Sequence, residues 1–189
     1  NARRGLADAV EVIQGGIGTR EHVAAAAAAD DQDTELALVP IAAAVAEATG
    51  NTQGEFLELD LADLVQVRAA AASLVERGDP IHLVVANAGI AAQKGVTAQG
   101  FELAFGVNHL GHFAFITGIL PLLTAASPAP DGAPARVVMV SSGSHNDAKK
   151  GIDLDAQRQA TSSFSGMPEY AVSKLANVSF AQELARRTS

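Results

Sequence analysis

The chain has 189 residues, 48% of them hydrophobic and 18% charged, which suits a single domain with a packed core and excludes a mainly disordered chain. Its 13 basic and 21 acidic residues leave a net charge of −8, the wrong sign for a general binder of nucleic acid or anionic membrane. With 0 cysteines there are no disulfides, no thiolate chemistry and no cysteine metal sites. No apolar run reaches the roughly 18 residues of a membrane span. The opening Asn1-Ala2-Arg3-Arg4 has no apolar stretch behind it and no Met, so it reads as no signal peptide and as the start of a fragment; the expected location is cytoplasmic.

Taken in chain order, short apolar runs alternate with amphipathic stretches. Strands are expected at residues 9–13, 35–39, 55–59, 81–86 and 136–141, and helices at 19–29, 41–49, 62–77, 98–125 and 168–187. The third helix is the clearest, with Leu64, Val67, Ala71, Leu74 and Val75 at helical spacing and Gly78 and Pro80 as stops. The runs IHLVVA and RVVMVS are nearly continuous, as in strands covered on both faces. The alternation predicts an α/β fold with a parallel sheet and helices on both sides. Two loops stand out: residues 127–135, rich in proline, and residues 144–167, long enough to serve a function. The strand at 136–141, with no further strand after it, would be an exposed apolar edge and favours a homo-oligomer.

The sole tyrosine, Tyr170, stands four residues before Lys174, which puts both on one face of the last helix. A tyrosine serves as acid or base only when its proton is held more loosely than the ordinary pKa of about 10, and a neighbouring ammonium supplies that bias; a surface pair with no such role has the same spacing. Ser141-Ser142 closes an apolar strand, where an open parallel sheet places its ligands, although serine also suits a plain turn. Asn108 shares one helical stripe with Phe101, Phe105 and His112, so its amide needs partners inside the core. His109 and His112 are three apart, but no H-E-x-x-H and no nearby carboxylate accompany them, and no metal site is expected. Asp60-Leu61 and Asn87-Ala88-Gly89 follow strands, and Gly15-Gly16-Ile17-Gly18 follows the first strand and opens a helix, where glycines let backbone approach a pyrophosphate.

These pieces occur together in one order: F-L-E-L-D-L-A-D-L, A-N-A-G, G-F-E-L-A-F-G-V-N-H-L-G-H-F, R-V-V-M-V-S-S-G-S-H and Y-A-V-S-K-L-A-N-V. From about Phe56 to Arg187 the chain resembles the short-chain dehydrogenase/reductase family, in wording nearest its retinol-dehydrogenase-like branch. The resemblance implies a Rossmann-like, doubly wound α/β domain of about five parallel strands over residues 1–189, with 1–54 atypical and the C-terminal end incomplete. It implies an NAD(P)-dependent oxidoreductase that moves a hydride between a nicotinamide and a small alcohol or carbonyl substrate.

By the same resemblance, Tyr170 is the acid/base, and Lys174 biases it and holds the nicotinamide ribose. Ser142 orients the substrate oxygen, and Asn108 holds a relay water. Asp60 and Leu61 lie at the adenine end, while Gly16, Ile17, Gly18, Asn87, Ala88 and Gly89 line the cofactor cleft. Where the family has T-G-x-x-x-G-I-G, this chain has Glu11 and Val12 at the first two positions, and Ala86 replaces the first Asn of N-N-A-G. The cofactor is thus NAD or NADP, with no residue that chooses between them. The rival expectation is a non-catalytic fragment of the same fold acting as an interaction module, which an acidic Glu11 beside a pyrophosphate would favour.

Overall fold

The computed structural model describes residues 47–48, 50, 54–55, 57–127 and 133–188. The chain divides into Asn1–Glu58 and Leu59–Ser189, and the elements below belong to the second unit. The expected elements at 9–13, 19–29 and 35–39, and the glycines Gly16 and Gly18 with Ile17 between them, lie outside the described residues; of 41–49, Glu47 and Ala48 are helical.

Helix α1 spans Leu64–Arg77 and is built as the periodicity requires. Asp63 takes an extended conformation ahead of it and accepts from Val65 N at 2.9 Å, satisfying one of the amides that a helix start leaves free. Gln99 completes the cap from a distant loop: its Oε1 accepts from Leu64 N at 2.9 Å, and its Nε2 donates to Asp63 Oδ1 at 2.8 Å. The helix stops at Gly78, whose φ of 75° is left-handed and whose N–H reaches Leu74 O. Val67, Ala70, Ala71 and Leu74 form the buried stripe.

Strands β1 (Leu83–Ala86) and β2 (Arg136–Met139) are parallel neighbours, with Leu83 opposite Arg136 and Ala86 opposite Met139. A parallel pair needs a long crossover. Here it carries α2 (Leu103–Phe105), a π-helical turn (Gly106–Gly111), α3 (His112–Gly118) and α4 (Leu120–Ala125). Helix α5 (Met167–Thr188) closes the order and packs against the π turn and β2, while α1 packs against α3.

Three sequence expectations are corrected here. Residues 57–59 form no strand: a strand exists only where a neighbour supplies a ladder, and no described residue pairs with them. The described sheet therefore has two strands. The expected single helix at 98–125 begins only at Leu103, widens into the π turn and breaks at Ile119, because Glu102 caps it late and the buried polar residues of the turn impose their own geometry. Among the described residues the strands are not covered on both faces: Val84 and Ala86 are buried, but Leu83 is 41% exposed, Val85 52% and Val138 45%. The long loop after β2 holds 3₁₀ turns at Gly143–Asp147 and Ala156–Arg158.

Candidate active site

Both strands end toward the same edge, and the loops that leave them meet the first turns of α5. After β1 the chain runs through Asn87, Ala88 and Gly89. A methyl group on Gly89 would lie 2.9 Å from Asn108 Oδ1 and 3.5 Å from Lys174 Nζ. Only a residue without a side chain lets the backbone come this close to both groups, and it is this loop that brings Asn108 and Lys174 to one place.

Asn108 sits in the π turn and is fully buried. Its Nδ2 donates to Ile90 O and to Ser173 Oγ, each at 2.9 Å, and its Oδ1 accepts from Ile90 N at 2.8 Å. Both amide hydrogens are therefore used, and the side chain ties the loop after β1 to α5. Ser173 Oγ in turn donates to Tyr170 O at 2.7 Å. The peptide N–H of His112, which a regular α-helix would direct to Asn108 O, goes to His109 O instead, and the His112 ring Nδ1 lies 3.0 Å from Asn108 O in its place. A carbonyl oxygen only accepts, so Nδ1 carries the proton. Burial pushes the His112 pKa down to about 4 against the help of that bond, and Lys174 and His109 add repulsion; the ring is neutral near pH 7. Extra-wide helical turns of this kind concentrate at functional positions.

On α5, Tyr170, Ser173, Lys174 and Asn177 follow one face, as spacings of three and four dictate. Lys174 Nζ donates to Val140 O at 3.1 Å and stands 5.6 Å from the centre of the Tyr170 ring. Its burial lowers its pKa. Asn177 Nδ2 donates to the same carbonyl at 3.2 Å, and its Oδ1 lies 3.1 Å from His109 Nδ1. The residue that follows β2 thus offers its carbonyl to two α5 side chains. Ser141 Oγ donates to Lys174 O at 2.9 Å, which spends that hydroxyl on anchoring the helix. Ser142 caps the following 3₁₀ turn, accepting from Ser144 N and donating to Ser144 Oγ, both at 3.2 Å; these are long bonds for a hydroxyl, and a better acceptor would displace the second. Tyr170 is half-buried, and its Oη makes no hydrogen bond to another described residue.

Gly89, Asn108, Lys174 and Tyr170 are therefore linked through one set of contacts, with Asn87 and Ala88 in the loop leading to Gly89 and Ser142 in the loop that follows the second strand. Asp60 stands apart from this network. It is exposed, and its Oδ1 accepts from Ala62 N at 2.8 Å, a turn contact. Leu61 is 1% exposed and packs where Gly111 leaves room for it, so its side chain belongs to the core. Among the described residues no group of three or more His, Asp and Glu is placed to hold a metal ion, and no helix is long and apolar enough to cross a membrane.

Residues 13–153 match the family model described as short chain dehydrogenase. The chain belongs to this family. Its similarity lies with the retinol-dehydrogenase-like branch: human retinol dehydrogenase 12 is 39% identical over 141 residues, which cover 74% of this chain and 42% of that protein. The chain spans about half the length of the curated relatives it matches. Among solved structures, an uncharacterised protein of Mycobacterium paratuberculosis is 36% identical and superposes with a TM-score of 0.57, covering 77% of this chain and 48% of that one. A short-chain dehydrogenase/reductase of Burkholderia phymatum, solved in complex with NAD, matches with a TM-score of 0.54 at 24% identity over 81% of this chain and 48% of its own. With the parallel strands and their helical crossover, these likenesses make the domain an α/β, Rossmann-like fold of the short-chain dehydrogenase type.

Sequence reasoning did not single out Ser173, Asn177, the Val140 carbonyl or the structural use of His112. The first two carried a signal: they continue the Tyr170–Lys174 face at spacings where a core helix would be apolar. A backbone carbonyl carries none.

Proposed function

We propose that this short-chain dehydrogenase domain is the catalytic half of an NAD(P)-dependent oxidoreductase acting on an alcohol/carbonyl pair. The observation that carries the reading is the position of Lys174, held by Val140 O, 3.5 Å from where a methyl on Gly89 would lie and 5.6 Å from the Tyr170 ring. A buried ammonium with one donor spent on the protein has two left for a partner, and it stands beyond the carboxyl ends of the two strands, where an open parallel sheet takes its ligands. The residues present thus fit the ribose and nicotinamide end of a dinucleotide, with Asn87, Ala88, Gly89, Tyr170 and Lys174 as its holders. When bound, the nicotinamide supplies or accepts the hydride.

The protein's share is placement and proton transfer. Ser142 Oγ exchanges its long bond to Ser144 for one to the substrate oxygen and fixes that oxygen in place. Tyr170 Oη, which has no partner among the described residues, gives its proton to the oxygen in the reducing direction and takes one in the oxidising direction. Asn108 and Ser173 hold the first turns of α5 against the loop after β1, so that the tyrosine and the lysine keep their spacing. Asn108 is assigned the water that connects Lys174 to solvent for the proton relay. Asp60 is assigned to the adenine end together with the Leu61 backbone, and Gly16, Ile17 and Gly18 to the phosphates.

The experiment is a titration of the chain with NADH and with NADPH, followed by nicotinamide fluorescence, and then turnover with retinaldehyde, the aldehyde of the alcohol named in the human relative. Saturable binding of one dinucleotide and aldehyde-dependent consumption of it are the expected results. Binding of neither, with no turnover, would refute the reading and leave the interaction module.

A further inference from the structure

The loop that leaves Ser142 returns to the site immediately before Tyr170, and one side chain fastens its far end. The carboxylate of Glu169, the residue before the tyrosine, accepts from Ser162 N at 3.2 Å, Ser162 Oγ at 3.2 Å and Ser163 N at 2.9 Å through Oε1, and from Ser163 Oγ through Oε2. Ser163 Oγ also accepts from Gly166 N at 3.0 Å, and Gly166 O receives Tyr170 N at 3.0 Å. A closed chain of hydrogen bonds therefore runs from the serines through Gly166 to the tyrosine backbone. A second anchor lies just upstream: Thr161 Oγ1 donates to the buried Glu102 carboxylate at 2.5 Å and Thr161 N to Gly95 O at 3.1 Å. Burial works to raise the Glu169 carboxyl, yet the Ser163 and Ser162 contacts hold it below the usual range, so the carboxylate that accepts these bonds stays ionised through neutral pH.

Helix starts ordinarily need only one or two such contacts. Here four donors from the preceding loop converge on one first-turn carboxylate, and the residue they immobilise is next to the one that transfers the proton. We propose that Glu169 is a positioning residue for the reaction: by clasping Ser162 and Ser163 it fixes the first turn of α5 and with it the direction of the Tyr170 ring. The proposal rests on the function proposed above for Tyr170, and a misplacement of about 1 Å at a reacting group costs up to about 10²-fold in rate.

The chain contains 1 tyrosine and 0 tryptophans, so the tyrosine band of its near-ultraviolet circular dichroism reports the immobilisation of Tyr170 alone. In Glu169→Ala this band collapses while the far-ultraviolet spectrum stays as in the wild type, and kcat falls about 10- to 100-fold with the KM for dinucleotide unchanged. Glu169→Gln keeps an acceptor oxygen for Ser162 and Ser163 and restores both the band and most of the rate. Should Glu169→Ala unfold the chain, the double variant Ser162→Ala/Ser163→Ala removes the hydroxyls alone and weakens the band in the same direction. An unchanged tyrosine band in the folded variants overturns the positioning role, as does a collapsed band with unchanged kcat. If the wild type binds no dinucleotide and turns nothing over, the proposed function fails, and the band still decides whether the clasp orients the tyrosine.

Discussion

Helix α1 and the helical run from Leu103 to Ala125 have similar apolar content but opposite construction. Helix α1 is capped at both ends, buries Val67, Ala70, Ala71 and Leu74, and keeps its polar side chains out of its buried stripe. The second run buries Asn108 and His112 among Phe105, Phe115 and Ile116, widens into a π turn around the amide and breaks at Ile119. An ordinary helix minimises buried polar groups because each one unpaired costs about 1–3 kcal/mol. The second run accepts that burden and satisfies it with Ile90, Ser173 and the His112 ring. Polar burial that is fully paired, and that reaches α5 through Ser173, marks the half of the fold assigned to chemistry, while α1 supplies scaffold.

Substitutions should separate the two regions. The largest effect belongs to Tyr170→Phe, which keeps the ring but removes the proposed proton carrier: kcat should fall about 10²–10⁴-fold with dinucleotide affinity little changed, in steady-state kinetics. Lys174→Met comes next. It removes the ammonium held by Val140 O, and fluorescence titration should show dinucleotide binding weakened about 10- to 100-fold, the value of a lost charged hydrogen bond.

His112 sharpens the contrast through pH. Its folded-state pKa is about 4 against an ordinary 6.5, so between those values the unfolded chain binds a proton that the folded chain does not. The contribution is complete above pH 6.5 and is lost as pH falls to 4, by about 3 kcal/mol in all. Denaturant unfolding across this window should show a decline shallower by about that amount in His112→Phe. Gly78→Ala is the smallest change. A methyl there meets no atom within 4 Å, but φ is 75°, so the cost is backbone strain of about 1 kcal/mol, with kcat unaltered.

The same contrast explains what the sequence disclosed. Helix α1 was legible because local periodicity and a terminal Gly78 agree; the cap by Asp63, which starts the helix at Leu64 rather than at residue 62, was not read. The two parallel strands were legible as apolar runs, though not the exposure of Leu83, Val85 and Val138: they are as apolar as covered residues, and coverage depends on other elements. The run at 98–125 kept helical periodicity throughout, so nothing local announced the widening at Asn108, which is set by contacts with Ile90 and Ser173 far along the chain. The Tyr170–Lys174 pair was visible from spacing alone, while the clasp at Glu169 was not, because four donors from a loop of serines have no periodic signature.

The division of labour between the regions is tested most directly by measuring kcat and the free energy of unfolding on the same two variants, Tyr170→Phe and Gly78→Ala. The account predicts a crossing: Tyr170→Phe loses about 10²–10⁴ in kcat while its stability stays within about 0.5 kcal/mol of the wild type, and Gly78→Ala loses about 1 kcal/mol of stability at full kcat. Retention of more than half the activity by Tyr170→Phe, in a wild type that turns over, would contradict it.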